Sequence, residues 1–358
     1  MSAETVAPAE QLIDVEALTG WMDEQGLGRG PLEDLESLGG GTQNILLRFK
    51  RAGRGYIFRR PPAHPRSNSN ETMRREARVL AALADTNVPH PRLIAACSDE
   101  SVLGVAFYLM EPIDGFNPIV GFPPLHAGST AIRHRMGLAL VEGIAALGSI
   151  DYRAVGLEAF GKPDNFLSRQ VARWQAQLAS YSSLTQWPGA DPSLGVDEIA
   201  SWLDAHLPAD FTPGILHGDY HIGNVLFHND GAELAAIVDW ELATIGDPLL
   251  DLGWVLANWP ERADDTNDAI VVDIETWDGF PAPAEMVAHY AARSTRDLSA
   301  VLWYAVLACY KLGIILEGTY ARSLAGQAGE AIGRRHHLKS MALFRRAHHW
   351  LDSKPAWA

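Results

Sequence analysis

Three oxygen-bearing side chains lie close together in I-L-H-G-D-Y-H-I-G-N-V-L-F-H-N-D-G-A-E-L-A-A-I-V-D-W, residues 215–240. Asp219 follows His217 and Gly218, Asn224 comes five residues later, and Asp239 ends the apolar run 234–238. That run reads as a buried strand. An Asp, an Asn and a strand-end Asp suit phosphoryl transfer. The reaction wants a carboxylate that positions and deprotonates a hydroxyl, and hard oxygens that hold Mg²⁺ against nucleotide phosphates. Taken alone, Asp219 fits a turn-capping acid and Asn224 an Asx-turn. Their joint spacing favours the chemistry.

The surrounding pattern must position these groups. Residues 13–25 are amphipathic at helical spacing. A glycine-rich turn, Gly39 to Asn44, then opens a hairpin whose strands are 45–49 and 56–60, turned at Ala52 to Gly55. Three glycines between strands equally fit a plain turn; as a flap, their backbone N–H groups would approach phosphates. A helix over 71–84 contains Glu76. Strands 92–97 and 105–110 follow, and Glu111-Pro112-Ile113-Asp114-Gly115 reads as a hinge. Beyond it the chain turns helical, at 132–147, 164–182, 196–207, 248–258, 284–293, 299–321 and 327–351. Two short strands, 224–227 and 234–238, interrupt that series. The layout is a small antiparallel sheet with one helix, a hinge, and a larger helical lobe carrying a hairpin.

Composition narrows the class. At 358 residues the chain can bury a full core in two lobes. The net charge of −15 argues against a nucleic-acid partner. Residues 1–38 hold nine acids and one base, whereas 39–84 hold ten bases and two acids. The basic stretch reads as a solvated sheet or as a field that attracts a polyanion. Cys97 and Cys309 lie in apolar surroundings and read as buried thiols. No run of membrane-spanning length and no N-terminal signal pattern is evident, so no membrane partner and a cytoplasmic location are expected.

Layout and motif together resemble the aminoglycoside phosphotransferase family, relatives of the protein kinases, over residues 35–322. The most specific part is His217-Gly218-Asp219 with Asn224 and then Asp239. The resemblance implies an α+β, bilobal, kinase-like fold, with an N-terminal lobe at 1–111 and a helical C-terminal lobe at 112–358. It implies ATP or GTP and Mg²⁺ as cofactors, and a small-molecule hydroxyl as acceptor. Asp219 would be the base, and Asn224 and Asp239 the metal ligands. Gly40, Gly41, Asn44, Arg59 and Glu76 would attend the nucleotide, with backbone groups at Glu111 and Ile113 offered to adenine. His217, Asp247 and Asp251 would support the loop. Asp247 would cap a helix that Pro248 begins, and Asp251 would tie the catalytic loop by hydrogen bonds.

Departures matter as well. Arg59 stands where a kinase lysine is expected, with Glu76 as its partner, and Trp240-Glu241 replaces Phe-Gly after Asp239. Gly148 occupies a position where the family often shows histidine. Gly39-Gly40 with Asn44, Arg59-Arg60-Pro61-Pro62, Val88-Pro89, Asp239-Trp240-Glu241 and Gly246-Asp247-Pro248 are similar to the subgroup joined to acyl-CoA dehydrogenases. That similarity implies a hydroxyacyl-CoA-type acceptor. An antibiotic kinase and a non-catalytic nucleotide-binding module remain alternatives. Trp174, Tyr304, Lys311, Glu317, Tyr320 and Arg322 are candidates to line the acceptor pocket. The oligomeric state is not legible.

Overall fold

The computed structural model describes residues 11–38, 44–62, 64–65, 67–184, 186–261 and 271–358. It divides into two units, Met1–Asp114 with Ala236–Glu241, and Gly115–Ala235 with Leu242–Ala358.

The first unit holds α1 (Val15–Glu24), β1 (Glu33–Ser37), β2 (Ile45–Arg51), β3 (Arg54–Arg60), α2 (Ser69–Leu83), β4 (Leu93–Cys97) and β5 (Phe107–Met110). The strands form one antiparallel sheet in the order β1-β2-β3-β5-β4. In β2, Leu47 and Phe49 are buried while Arg48 and Lys50 are exposed, the alternation of a strand with one covered face. The two-residue turn to β3 has φ of 51° at Ala52 and 77° at Gly53, which suits the twist of a tight hairpin. Leu18, Trp21 and Met22 of α1 share a core with Leu47, Phe49, Tyr56, Phe58, Phe107 and Leu109. Alternation therefore sends Ile57 and Arg59 to the opposite face of β3.

Strand β1 escapes the sequence reading because Glu33-Asp34-Leu35-Glu36-Ser37 has little apolar alternation. Its acids explain the charge segregation. Glu36 pairs with Arg48 at 3.7 Å and Asp34 with Lys50 at 2.8 Å; Asp23 of α1 meets Arg51 at 2.7 Å. Arg54 reaches Glu111 at 3.2 Å and Arg74 reaches Glu100 at 2.6 Å. Much of the basic stretch is thus paired with acids, three of them, Asp23, Asp34 and Glu36, from the acidic N-terminal segment.

The second unit holds α3 (Pro124–Ala127), α4 (Thr130–Ser149), α5 (Gln170–Ser180), α6 (Val196–Ala205), β6 (Gly214–Leu216), β7 (Val225–Phe227), the start of β8 (Leu234–Ile237), β9 (Thr244–Gly246), α7 (Leu249–Ala257), α8 (Pro283–Ala291), α9 (Val301–Leu324) and α10 (Glu330–Ser353). Strands β6 and β9, too short to stand out as apolar runs, pair antiparallel with Leu216 opposite Thr244. Helix α5 starts only at Gln170, later than its periodicity suggests; Asn165 sits at φ 54° in the turn before it.

Helix α9 corrects the expectation that no run reaches membrane-spanning length. It has 24 residues and a window of mean hydropathy 1.5, yet 83% of that window is buried inside the protein. It is the core helix on which α7 and α10 pack. The approach to α7 is close. A Cβ on Gly253 would lie 2.5 Å from the Tyr304 carbonyl carbon and oxygen.

Candidate active site

In the second unit, β6 delivers the chain directly into His217-Gly218-Asp219. Gly218 has φ 87°, and a Cβ there would meet the Leu242 carbonyl oxygen at 2.5 Å, so the tight turn before Asp219 needs glycine. The buried Asp251 carboxylate accepts from the His217 N–H at 2.6 Å and the Gly218 N–H at 2.9 Å. Burial pushes the Asp251 carboxyl up, against these backbone donors and the Lys311 ammonium. His217 is fully buried, and its Nδ1 accepts from the Asp219 N–H at 3.3 Å. Asp247 is also buried; it accepts from the Leu249 N–H at 3.0 Å and from the Tyr304 hydroxyl.

Asp219 is held at both carboxylate oxygens. The Trp254 indole Nε1–H donates to Oδ1 at 2.9 Å, and the Asn224 amide donates to Oδ2 at 3.2 Å. The same Asn224 nitrogen also reaches the Asp219 carbonyl at 3.0 Å. Lys311 Nζ lies 4.2 Å from the Trp254 ring centroid and donates to the Gly218 carbonyl at 3.2 Å. Burial pushes its ammonium down to about 8, although Asp219 and Asp251 pull the other way. Trp254 carried no signal in the sequence, because nothing in an apolar helix marks which indole N–H will face a carboxylate.

Of the six proposed pocket residues, the structure brings Lys311 to the loop and Trp174 beside Lys311, 5.6 Å from ring centroid to Nζ. Tyr304 serves Asp247 instead. Glu317 is taken by the Trp187 indole at 2.9 Å and His337 at 2.8 Å, Tyr320 stacks on His337, and Arg322 donates to Thr319.

In the first unit, Arg59 and Tyr108 sit opposite each other across β3 and β5 and so share a face. Arg59 Nε lies 2.9 Å from Glu76 of α2, and its Nη2 donates to Asp239 Oδ1 at 2.7 Å. Tyr108 donates to Glu76 at 2.8 Å. Burial alone would lower the Arg59 pKa, but Glu76 and Asp239 raise it on balance. Glu76 is raised by burial, with Arg59 opposing. Arg59 thus bridges α2 to the segment carrying Asp239, using two arms of a fork that an ammonium lacks. Asp239 itself has φ 65°, an unusual backbone state for a non-glycine residue and one that gathers at functional sites. Trp240 beside it is buried and donates to the Ile237 carbonyl at 3.0 Å.

Asn44, Glu111 and Ile113 are the other residues expected at the nucleotide that lie within the described residues. Gly40 and Gly41 lie outside the described residues. Asn44 donates to Glu241 at 3.5 Å. The Glu111 N–H donates to the Arg92 carbonyl at 2.9 Å, which extends the pairing beside β4. Ile113 follows in the connecting segment, half-buried.

Among the described residues no three His, Cys, Asp or Glu side chains gather as a metal cage. Asp239 of the first unit offers a carboxylate 39% exposed, and Asn224 of the second an amide. Each is a hard oxygen donor of the kind Mg²⁺ takes while keeping several waters and leaning on substrate phosphates.

A model of the phosphotransferase enzyme family (APH) matches residues 34–290. Acyl-CoA dehydrogenase family member 10 of Mus musculus is 30% identical over 306 residues, 84% of this chain and 28% of that protein. Acyl-CoA dehydrogenase family member 11 of Gallus gallus is 30% identical over 295 residues, 80% of this chain and 36% of that protein. The chain therefore spans about a third of the length of these curated relatives. Among solved structures, a Ralstonia eutropha protein assigned as an aminoglycoside phosphotransferase has a TM-score of 0.76 at 30% identity, covering 94% of this chain and 98% of that one. Aminoglycoside 2'-phosphotransferase-IIIa shares the fold at a TM-score of 0.64 and 17% identity, covering 93% and 99%. So the fold is the kinase-like α+β one, and the chemistry is that of a small-molecule phosphotransferase.

Proposed function

The chain belongs to the phosphotransferase enzyme family, and from that membership we propose that it is an ATP- and Mg²⁺-dependent O-phosphotransferase acting on the hydroxyl of a small metabolite, of hydroxyacyl-CoA type. The observation that carries the reading is the Asp219 carboxylate, held by the Trp254 indole and the Asn224 amide at the mouth of a glycine turn. A base fixed in this way can accept the hydroxyl proton and align the oxygen for attack. The hydroxyl oxygen forms the new bond to the γ-phosphorus, the β,γ-bridging P–O bond breaks, ADP departs, and the proton passes to Asp219. Mg²⁺, when bound, would neutralise charge on the phosphates, with Asn224 and Asp239 as its protein ligands. Arg59 holds Asp239 and Glu76 holds Arg59. The acceptor class is supported by the two relatives named acyl-CoA dehydrogenases.

An aminoglycoside acceptor is the second reading. A fold neighbour, a thermostable phosphotransferase mutant at 15% identity, was solved with ADP and hygromycin B. Asp219→Asn decides the mechanism. It should keep the fold and the Mg-ATP thermal shift while turnover falls about 10²–10⁴-fold, the usual worth of a general base. Near-full turnover in that variant would remove Asp219 from the reaction. A screen of hydroxyacyl-CoAs against aminoglycosides decides the acceptor.

A further inference from the structure

Beside the catalytic loop, helices α5 and α9 bring together donors that the transfer step does not employ. Lys311 Nζ sits over the Trp254 face at 4.2 Å, with Trp174 at 5.6 Å on another side. Trp174 is only 9% exposed, and its Nε1–H meets no acceptor among the described residues. A buried N–H without an acceptor is rare in native proteins and calls for an explanation. The Arg173 guanidinium lies 5.2 Å from the Trp174 ring and adds positive potential at Lys311. The negative groups facing Lys311 are Asp219 and Asp251. An ammonium walled by two indoles is poorly hydrated, so an arriving oxygen gains more from it than from an exposed lysine. An amino sugar would instead bring like charge to Lys311 and Arg173.

Resting on the transfer reading above, we propose that Lys311 and the Trp174 Nε1–H form a specificity-determining pair that takes a carbonyl or carboxylate oxygen of the acceptor. The acceptor is then a hydroxylated acid or its acyl thioester, and polycationic sugars are disfavoured. Trp254, under Lys311, ties the pair to Asp219, so recognition of that oxygen places the hydroxyl beside the base.

Calorimetric binding in the presence of ADP tests this without turnover, using hydroxybutyrate, hydroxybutyryl-CoA and kanamycin as probes. Wild type should bind hydroxybutyrate, through its carboxylate, or hydroxybutyryl-CoA, through its thioester carbonyl, more tightly than kanamycin, and which one identifies the source of the oxygen. Lys311→Met should weaken that binding about 10-fold or more, Lys311→Arg should restore part of it, and Trp174→Phe should weaken it several-fold, all with the nucleotide thermal shift retained. Preferred binding of kanamycin, binding of none of the probes, or unchanged affinity in Lys311→Met overturns the proposal. Should Lys311→Met fail to fold, Trp174→Phe decides by the same criterion. Because binding needs no proton transfer, this result is separate from that of Asp219→Asn.

Discussion

The indole N–H of Trp254 donates to the Asp219 carboxylate at 2.9 Å, across 35 residues of sequence. Helix α7 therefore does more than fill the core, since one of its side chains sets the rotamer of the base. Trp254→Phe keeps an aromatic ring in α7, gives up part of the indole volume and deletes the donor. A hydrogen bond to a charged group is worth roughly 1.5–3 kcal/mol, so kcat should fall about 10-fold or more. Steady-state kinetics at temperatures where a denaturation curve shows the variant fully folded checks this, since the smaller ring also costs some packing. An unchanged kcat would show that Asn224 alone suffices to hold the carboxylate.

Arg59 is the central member of a buried chain, Glu76 to Arg59 to Asp239. Arg59→Met leaves the Glu76 charge buried without its partner and should cost about 3–5 kcal/mol in urea unfolding. Adding Glu76→Leu should recover much of that loss, because the orphaned charge is gone. Recovery of stability without recovery of nucleotide affinity would separate the structural part of Arg59 from its hold on Asp239.

Gly253 permits the close crossing of α7 and α9, the contact that sets Trp254 and Lys311 side by side. Gly253→Ala places a methyl group against the Tyr304 backbone, which cannot swing away as a side chain would. A destabilisation of about 1–3 kcal/mol is expected from overpacking, with a fall in kcat. Gly20→Ala, in α1 with open space around its Cβ position, serves as the control and should leave kcat unchanged.

Lys311 gives a pH signature. Burial pushes its pKa down to about 8 from the ordinary 10.5. As pH rises through 8 the folded chain loses this charge, and acceptor affinity should fall; Lys311→Arg should remove that limb. Stability moves the other way. Between about 8 and 10.5 the unfolded chain binds more protons at this site than the folded one, so this site's contribution to stability rises with pH. Binding isotherms and urea midpoints across that window read the two effects separately.

Much of the kinase-like order was legible from the chain because it depends on near neighbours. The hairpin of β2 and β3 follows from two-residue alternation and a tight turn. The spacing from His217 through Asp219 to Asn224 and on to Asp239 is fixed by chain connectivity, and Asp247 beside Leu249 is a local cap. Even Glu76 as partner of Arg59 could be named, since a helix acid after a strand cation is a short-range pattern. Tertiary packing decided the rest. Charge segregation left open which acid meets which base, and folding set Asp23, Asp34 and Glu36 against Arg51, Lys50 and Arg48. The Glu111 N–H finds its partner in the Arg92 carbonyl, a pairing only the sheet reveals. Helix α9 is apolar for the sake of the core it occupies. Trp254 and Lys311 reach the catalytic loop from 35 and 93 residues away, and only the α7–α9 crossing at Gly253 makes them neighbours. Sequence periodicity reports which face of an element is buried. Which polar atom on that face meets which loop is a property of the packing, and here that packing surrounds the base.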